Sequence, residues 1–156
     1  MSDAKDNANV LLRPPIAWVL APLLGVGIDR LYPLPFVPAS LPRIWIGGAL
    51  VAAGIALAAW AIVTFRKAGT QVETYKPTTA IVAQGPYALT RNPIYLGMFL
   101  GHVGFAIGFD SLWLLAMLAL FFLVIRYGVV AREEAYLERK FGKIYLDYKS
   151  RTRRWV

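Results

Sequence analysis

The chain has 156 residues, 58% of them hydrophobic and only 17% charged, with a mean hydropathy of +0.52. That balance excludes a soluble α/β enzyme and a disordered basic tail, and points to an all-α helical bundle that uses lipid as its solvent. The formal charge is +8, yet the basic residues bracket apolar spans and are not interleaved with base-stacking aromatics, so membrane topology accounts for them and nucleic acid is not expected as a partner. The absence of cysteine excludes a disulfide framework, a thiolate metal site and a cysteine nucleophile, and one histidine argues against a histidine-rich metal centre, so no metal is expected.

The first apolar stretch, about 14–31, contains Pro22 and reaches Asp29-Arg30, so it crosses only with its flanking residues included. A signal peptide fits less well, because Asp3 and Asp6 flank Lys5 and no small-residue cleavage site follows. Residues 44–65 are 22 positions without a formal charge, with Trp45 and Trp60 near the ends, where amphipathic rings favour the membrane interface. The third span, 92–109, opens on Asn92-Pro93; proline lacks the amide that a first helical turn leaves unpaired. Asp110-Ser111 predicts a tight turn into a fourth span, 111–131, with Arg126 close enough to the boundary to snorkel or to face a polar cavity and a substrate.

The 66–91 loop carries Arg66, Lys67, Lys76 and Arg91, and the segment from Arg126 onward holds nine of the seventeen Lys and Arg residues. Positive charge marks the cytoplasmic side, so about four spans with both termini and the active site inside are expected. Beyond the fourth span, Leu137, Phe141, Ile144, Tyr145 and Tyr148 recur at helical spacing among charges, predicting an amphipathic cytoplasmic segment interrupted near Gly142. Such a segment serves either as an interfacial anchor for anionic lipid or as a lid.

Chemistry concentrates around residues 69–97. The loop GTQVETYKPTTAIVAQGPYALTR is longer than structural connections usually are and leads into Arg91-Asn92-Pro93-Ile94-Tyr95-Leu96-Gly97, where an arginine stands beside free helix N-terminal amides and suits an anion. Gly97, Gly101, Gly104 and Gly108 form a stripe without side chains, which serves close helix packing or a groove for a lipid tail or cofactor and permits an oligomer. His102 falls on much the same face as Tyr95, as a packing residue or a contact to substrate. Arg132-Glu133-Glu134 reaches the depth of Arg91 from the neighbouring span, either as a solvated run or as half of a pocket for a zwitterion.

In these residues the chain resembles the isoprenylcysteine carboxyl methyltransferase family and its relatives among small membrane phospholipid methyltransferases. The matching segments are Gly85-Pro86-Tyr87, Arg91 to Gly97, and a tail of Arg132-Glu133-Glu134, Leu137, Phe141-Gly142, Tyr145, Tyr148, Arg153 and Trp155. The resemblance implies one membrane methyltransferase domain over 1–156, with the half that binds S-adenosylmethionine at about 69–156 and the C-terminal segment closing over the cofactor. It further implies a cofactor site of Gly85, Pro86, Tyr87, Asn92, Pro93, Tyr95, Gly97, Glu133 and Glu134, with Arg91 and Glu134 catalytic. A lipophilic acceptor, an isoprenylcysteine carboxylate or alternatively a phospholipid amine or small thiol, would meet Arg91, Tyr95, His102 and Arg126. Many relatives have histidine where this chain has Asn92, so a role requiring imidazole is lost there. The other reading of the chain is a non-catalytic membrane subunit or lipid-binding module.

Overall fold

The computed structural model describes residues 6–156, and all regular structure among them is helical. Helix α1 spans Pro14–Leu31, α2 Arg43–Lys67, α3 Pro93–Phe109 and α4 Leu112–Leu123. From α4 the chain passes through a π-helical stretch, Val124–Val130, into α5, Ala131–Phe141, and α6 follows at Lys143–Arg151. Three helices are long and apolar enough to cross a membrane: α1, α2 and the continuous Leu112–Phe141 helix, whose apolar part is residues 112–130. This is a membrane protein. The third expected span, α3, is apolar but only 17 residues long, about 26 Å at 1.5 Å per residue beside a hydrocarbon core of ~30 Å.

The glycine stripe of α3 meets a matching pair of glycines on α2. A Cβ on Gly54 would lie 2.5 Å from the carbonyl oxygen of Gly97 and 2.8 Å from the nitrogen of Gly101. One on Gly47 would lie 2.6 Å from the carbonyl oxygen of Gly104 and 2.7 Å from the nitrogen of Gly108. The backbones are thus in direct contact along an antiparallel seam, Gly47 opposite Gly104 and Gly54 opposite Gly97. In lipid, where helices gain little by leaving solvent, this close approach supplies the dispersion that holds them together.

Helix α1 leans on the far side, where a Cβ on Gly25 would lie 2.9 Å from Leu114 Cδ2, and Trp18 Nε1 donates to the carbonyl of Met98 at 3.0 Å. His102, wholly buried, donates its Nε2–H to the carbonyl of Leu114 at 3.0 Å and joins α3 to α4. The expected turn is present: Asp110 adopts φ +53, and its carboxylate accepts from the amides of Phe36 (2.8 Å) and Val37 (2.7 Å) and from Arg43 (2.5 Å). Ser111 Oγ donates to Asp29 at 2.7 Å, so the connection from α1 to α2 is tied down onto the α3–α4 turn.

Replacing Gly54 by leucine drives a side chain into the α3 backbone and is expected to cost at least the upper part of the ~1–3 kcal/mol range for overpacking. Gly48→Ala, where a Cβ meets nothing within 4 Å, serves as the control. Thermal unfolding in detergent measures both; equal stabilities for the two variants would disprove the seam.

Candidate active site

The site gathers where the bundle ends at the start of α3. Gly85 adopts φ +60, a left-handed conformation available to glycine without strain, and opens a 3₁₀ turn, Gly85–Ala88. Pro86 is buried within it, and Tyr87 is carried over Phe65 of α2 with ring centroids 4.6 Å apart. Tyr148 of α6 donates its hydroxyl to the carbonyl of Tyr87 at 2.8 Å. Gly142, at φ +51, separates α5 from α6 and lets α6 fold back so that Tyr145 and Tyr148 face inward; Ile144 is left exposed.

Arg91 and Glu134 meet, as their shared depth suggested, but they meet each other. Arg91 Nη2 donates to Glu134 Oε1 at 2.9 Å, and both side chains are 9% exposed. Arg154 grips the same carboxylate with Nε to Oε1 at 2.9 Å and Nη2 to Oε2 at 2.6 Å. Arg91 also donates Nη1 to the carbonyls of Lys149 (2.9 Å) and Thr152 (3.2 Å), capping the end of α6, and its backbone amide bonds to the carbonyl of Arg153 at 2.9 Å. Asn92 Nδ2 and Thr90 Oγ1 both donate to the carbonyl of Arg154, at 2.9 and 3.1 Å. The amide at position 92 therefore pins the C-terminal tail.

Glu133, one residue earlier, is placed differently. Its Oε1 accepts the hydroxyl of Tyr95 at 2.8 Å, and among the described residues its other oxygen has no hydrogen-bond partner and no cation pairs with it. It faces a cavity of about 120 Å³, counted as space open to the centres of water molecules, whose walls include Phe65, Tyr87, Asn92, Tyr95, Tyr145 and Tyr148. Burial pushes the Glu133 carboxyl up to about 7, with the bond from Tyr95 opposing the shift and the neighbouring Glu134 adding to it. Burial raises Tyr87 well above the ordinary phenol range, and Tyr148 to about 12 despite Arg91 nearby.

Of the residues singled out in the sequence, Tyr87, Arg91, Asn92, Pro93, Tyr95, Glu133 and Glu134 line this cavity. Gly85 and Pro86 support Tyr87 from behind, where a Cβ on Gly85 would lie 3.2 Å from Thr64 Oγ1. Gly97 stands against Gly54 in the seam, and His102 lies deeper in the bundle, bonded to Leu114. Arg126, in the π-helical stretch, sits over the ring of Tyr127 at 5.3 Å and outside the cavity walls.

Two parts escaped the sequence reading. Arg154 gave no signal beyond membership of a basic run. The N-terminal segment gave none either, yet Ala8 lines the cavity and the segment is fastened across it. Tyr136 donates to Asp6 Oδ1 at 2.8 Å, Lys140 pairs with Asp6 at 2.7 Å, Arg132 donates to the carbonyl of Asn9 at 3.0 Å, and Leu11 donates its amide to Gly128 at 3.1 Å.

A helical membrane protein with a cavity of tyrosines and carboxylates at one end of its bundle is the class that fold and site define. Residues 42–144 match the model of the phospholipid methyltransferase family, and the chain belongs to that family. It is similar to the nickel-cobalt-cadmium resistance protein NccN of Alcaligenes xylosoxydans xylosoxydans, 33% identical over 135 residues, 86% of this chain and 50% of that protein. It is also similar to the cobalt-zinc-cadmium resistance protein CzcN of Cupriavidus metallidurans, 32% identical over 77 residues, 49% of this chain and 35% of that protein. An uncharacterized protein of Haemophilus influenzae is 49% identical over 51 residues, 30% of this chain and 81% of its own length. The chain thus spans half or less of the two resistance proteins. No solved structure matches it.

Glu134→Gln removes the anion that two guanidinium groups share, leaving Arg91 buried without a counter-charge, a change that typically costs ~3–5 kcal/mol. The tail beyond Lys149 should come loose and be cut by trypsin at Arg151 and Arg153 well before the rest of the chain. A tail as resistant as that of the unaltered protein would show that the pair does not hold it.

Proposed function

We propose that the chain transfers the methyl group of S-adenosylmethionine to a lipophilic acceptor that reaches the cavity from the bilayer. The observation that carries this reading is the lining of the cavity, in which aromatic faces surround the one carboxylate, Glu133, that is left without an ionic partner among the described residues. The cofactor brings a cationic sulfonium, an ammonium, a carboxylate, ribose hydroxyls and a flat purine. Glu133 suits the cationic sulfonium, Tyr87, Tyr145 and Tyr148 offer faces and edges for the purine and sulfonium, and Asn92 stands at the wall with hydrogen-bonding capacity. The first intrahelical bond of α3 is from Leu96 to Asn92, so the amides of Ile94 and Tyr95 remain for an anionic group.

In this reading Arg91 and Glu134 are the frame: they fix α6 and the tail so that Tyr145 and Tyr148 close the cavity. Methyl transfer is an in-line displacement, and holding the reacting atoms at near-attack distance accounts for up to ~7–11 kcal/mol of the barrier in favourable models. The N-terminal segment and the C-terminal helices together exclude water, which strengthens every electrostatic contact inside. We further propose four crossings, α3 included, with both chain ends and the cavity on the cytoplasmic side, because positive charge concentrates there.

The one arginine on the cavity wall, Arg91, is engaged by Glu134, so the lining favours an acceptor without a carboxylate over an isoprenylcysteine-like one. Titration calorimetry of purified protein with S-adenosylmethionine is expected to give saturable binding that Tyr87→Ala weakens at least tenfold. Membranes given the methyl-labelled cofactor should then carry label in the lipid or headspace fraction; absence of both binding and label would leave a non-catalytic membrane subunit.

A further inference from the structure

Adjacent acidic residues on one helix are usually read as a unit, but here they divide. Glu134 is saturated: three bonds from two guanidinium groups neutralise it and commit it to the tail. Glu133 lines the cavity and receives one bond, from Tyr95 at 2.8 Å, which leaves its other oxygen without a hydrogen-bond partner among the described residues. Tyr95 is itself 8% exposed and sits in the first turn of α3, so the pair has little freedom to reorient. We infer that Glu133 is the catalytic base of the methyl transfer, held in position by Tyr95, and that the acceptor is therefore a group with a proton to lose: an amine, a thiol or a hydroxyl. This rests on the methyltransferase reading above and adds to it the group that takes the acceptor's proton.

The balance is simple. The acceptor heteroatom uses its lone pair to form a bond to the methyl carbon. The carbon–sulfur bond breaks, and its electron pair stays on sulfur, leaving a neutral thioether. The acceptor's proton passes to the free oxygen of Glu133, whose negative charge disappears together with the positive charge of the sulfonium. Neither an oxidant nor a metal is required, and the glutamic acid gives its proton to solvent on turnover. A carboxylate acceptor would have no proton to give, and its negative charge would stand against that of Glu133.

The groups that face Glu133 set its behaviour with pH. Tyr95 comes from α3, Tyr87 from the turn before it, Glu134 from the same helix with Arg91 and Arg154 compensating it, and Glu73 lines the cavity from the loop but is paired with Lys76 at 3.0 Å. Burial places the carboxyl's titration near neutrality, at about 7. The base form is present above that pH, so turnover should rise with pH through it. Tyr95 stabilises the carboxylate, so Tyr95→Phe should move the rise to higher pH, an outcome that a purely structural tyrosine would not give.

The test uses detergent-solubilised protein, methyl-labelled S-adenosylmethionine and four single-chain acceptors: dodecylamine, dodecanethiol, dodecanol and dodecanoate. Label is expected on one or more of the first three. Glu133→Gln should lower kcat by about 10²–10⁴-fold, while calorimetric affinity for the demethylated product, which has no sulfonium charge, changes only a few-fold. Infrared difference spectra between pH 5 and 9 should show a protonated carboxyl band that Glu133→Gln removes and Tyr95→Phe shifts to higher pH, a readout independent of turnover. Label on dodecanoate alone, a Glu133→Gln enzyme with unchanged kcat and pH profile, or an infrared titration that ignores both substitutions overturns the assignment while leaving the methyltransferase reading intact. Failure of the unaltered protein to bind the cofactor or label any acceptor removes that reading, and this inference with it.

Discussion

The shared carboxylate of Glu134 is the contact on which the rest of the site depends. It joins three places that are distant along the chain, the first turn of α5 that carries it, Arg91 just before α3 and Arg154 in the tail after α6. A carboxylate with this little exposure is costly to bury alone, and so are the guanidinium groups around it; together they are tolerable because nearly every lone pair and donor has a partner. The cost of separating them is what makes the arrangement definite. It fixes where α6 lies, and α6 brings Tyr145 and Tyr148 to the cavity.

Beneath that contact lies the seam between α2 and α3. Gly97 belongs to the same short segment as Arg91 and Tyr95, so the position of the arginine is set by how closely the two helices approach. Larger residues at 47, 54, 97 or 104 would push the helices apart and carry Arg91 and Tyr95 away from α5. The stripe thus acts on the site through backbone placement, with no ligand needed to explain it. The π-helical stretch plays a comparable part on the other side, since Gly128 receives both the side chain and the amide of Leu11 and so seats the N-terminal segment over the cavity.

Much of this could be read from the residues. Charge-free runs located α2 and α3 within two residues of their ends, Asp110-Ser111 announced its turn, and the common depth of Arg91 and Glu133-Glu134 brought them to one end of the bundle, whereas the helix begun at Leu112 runs on past the expected end at 131 to Phe141. Composition cannot show which of two neighbouring glutamates turns inward to a cavity and which to an arginine. That choice depends on the helical phase after Val130, and the π-helical turn, with its wider winding, resets the phase in a way that a regular 3.6-residue repeat does not anticipate. Arg154 was invisible for another reason: within Arg151-Thr152-Arg153-Arg154 only the three-dimensional path of the tail decides which side chain points inward. Residues 6–12 pass from polar Asp6, Asn7 and Asn9 to apolar Val10, Leu11 and Leu12 without periodicity, so nothing in them announced a covering segment.

The division between Glu133 and Glu134 also explains why a site of this kind sits at the boundary of the membrane. A carboxylate with a single hydrogen bond would be protonated deep in the apolar core and would titrate like free glutamate in water. At the end of the bundle, walled by tyrosines, desolvation and the neighbouring Glu134 raise the carboxyl while the bond from Tyr95 lowers it, and burial prevails. The carboxyl then titrates close to neutral pH, where an acid and its conjugate base are both accessible within a catalytic cycle. Moving the pair one turn toward the middle of the helix would lose the charge, and moving it one turn outward would lose the enclosure.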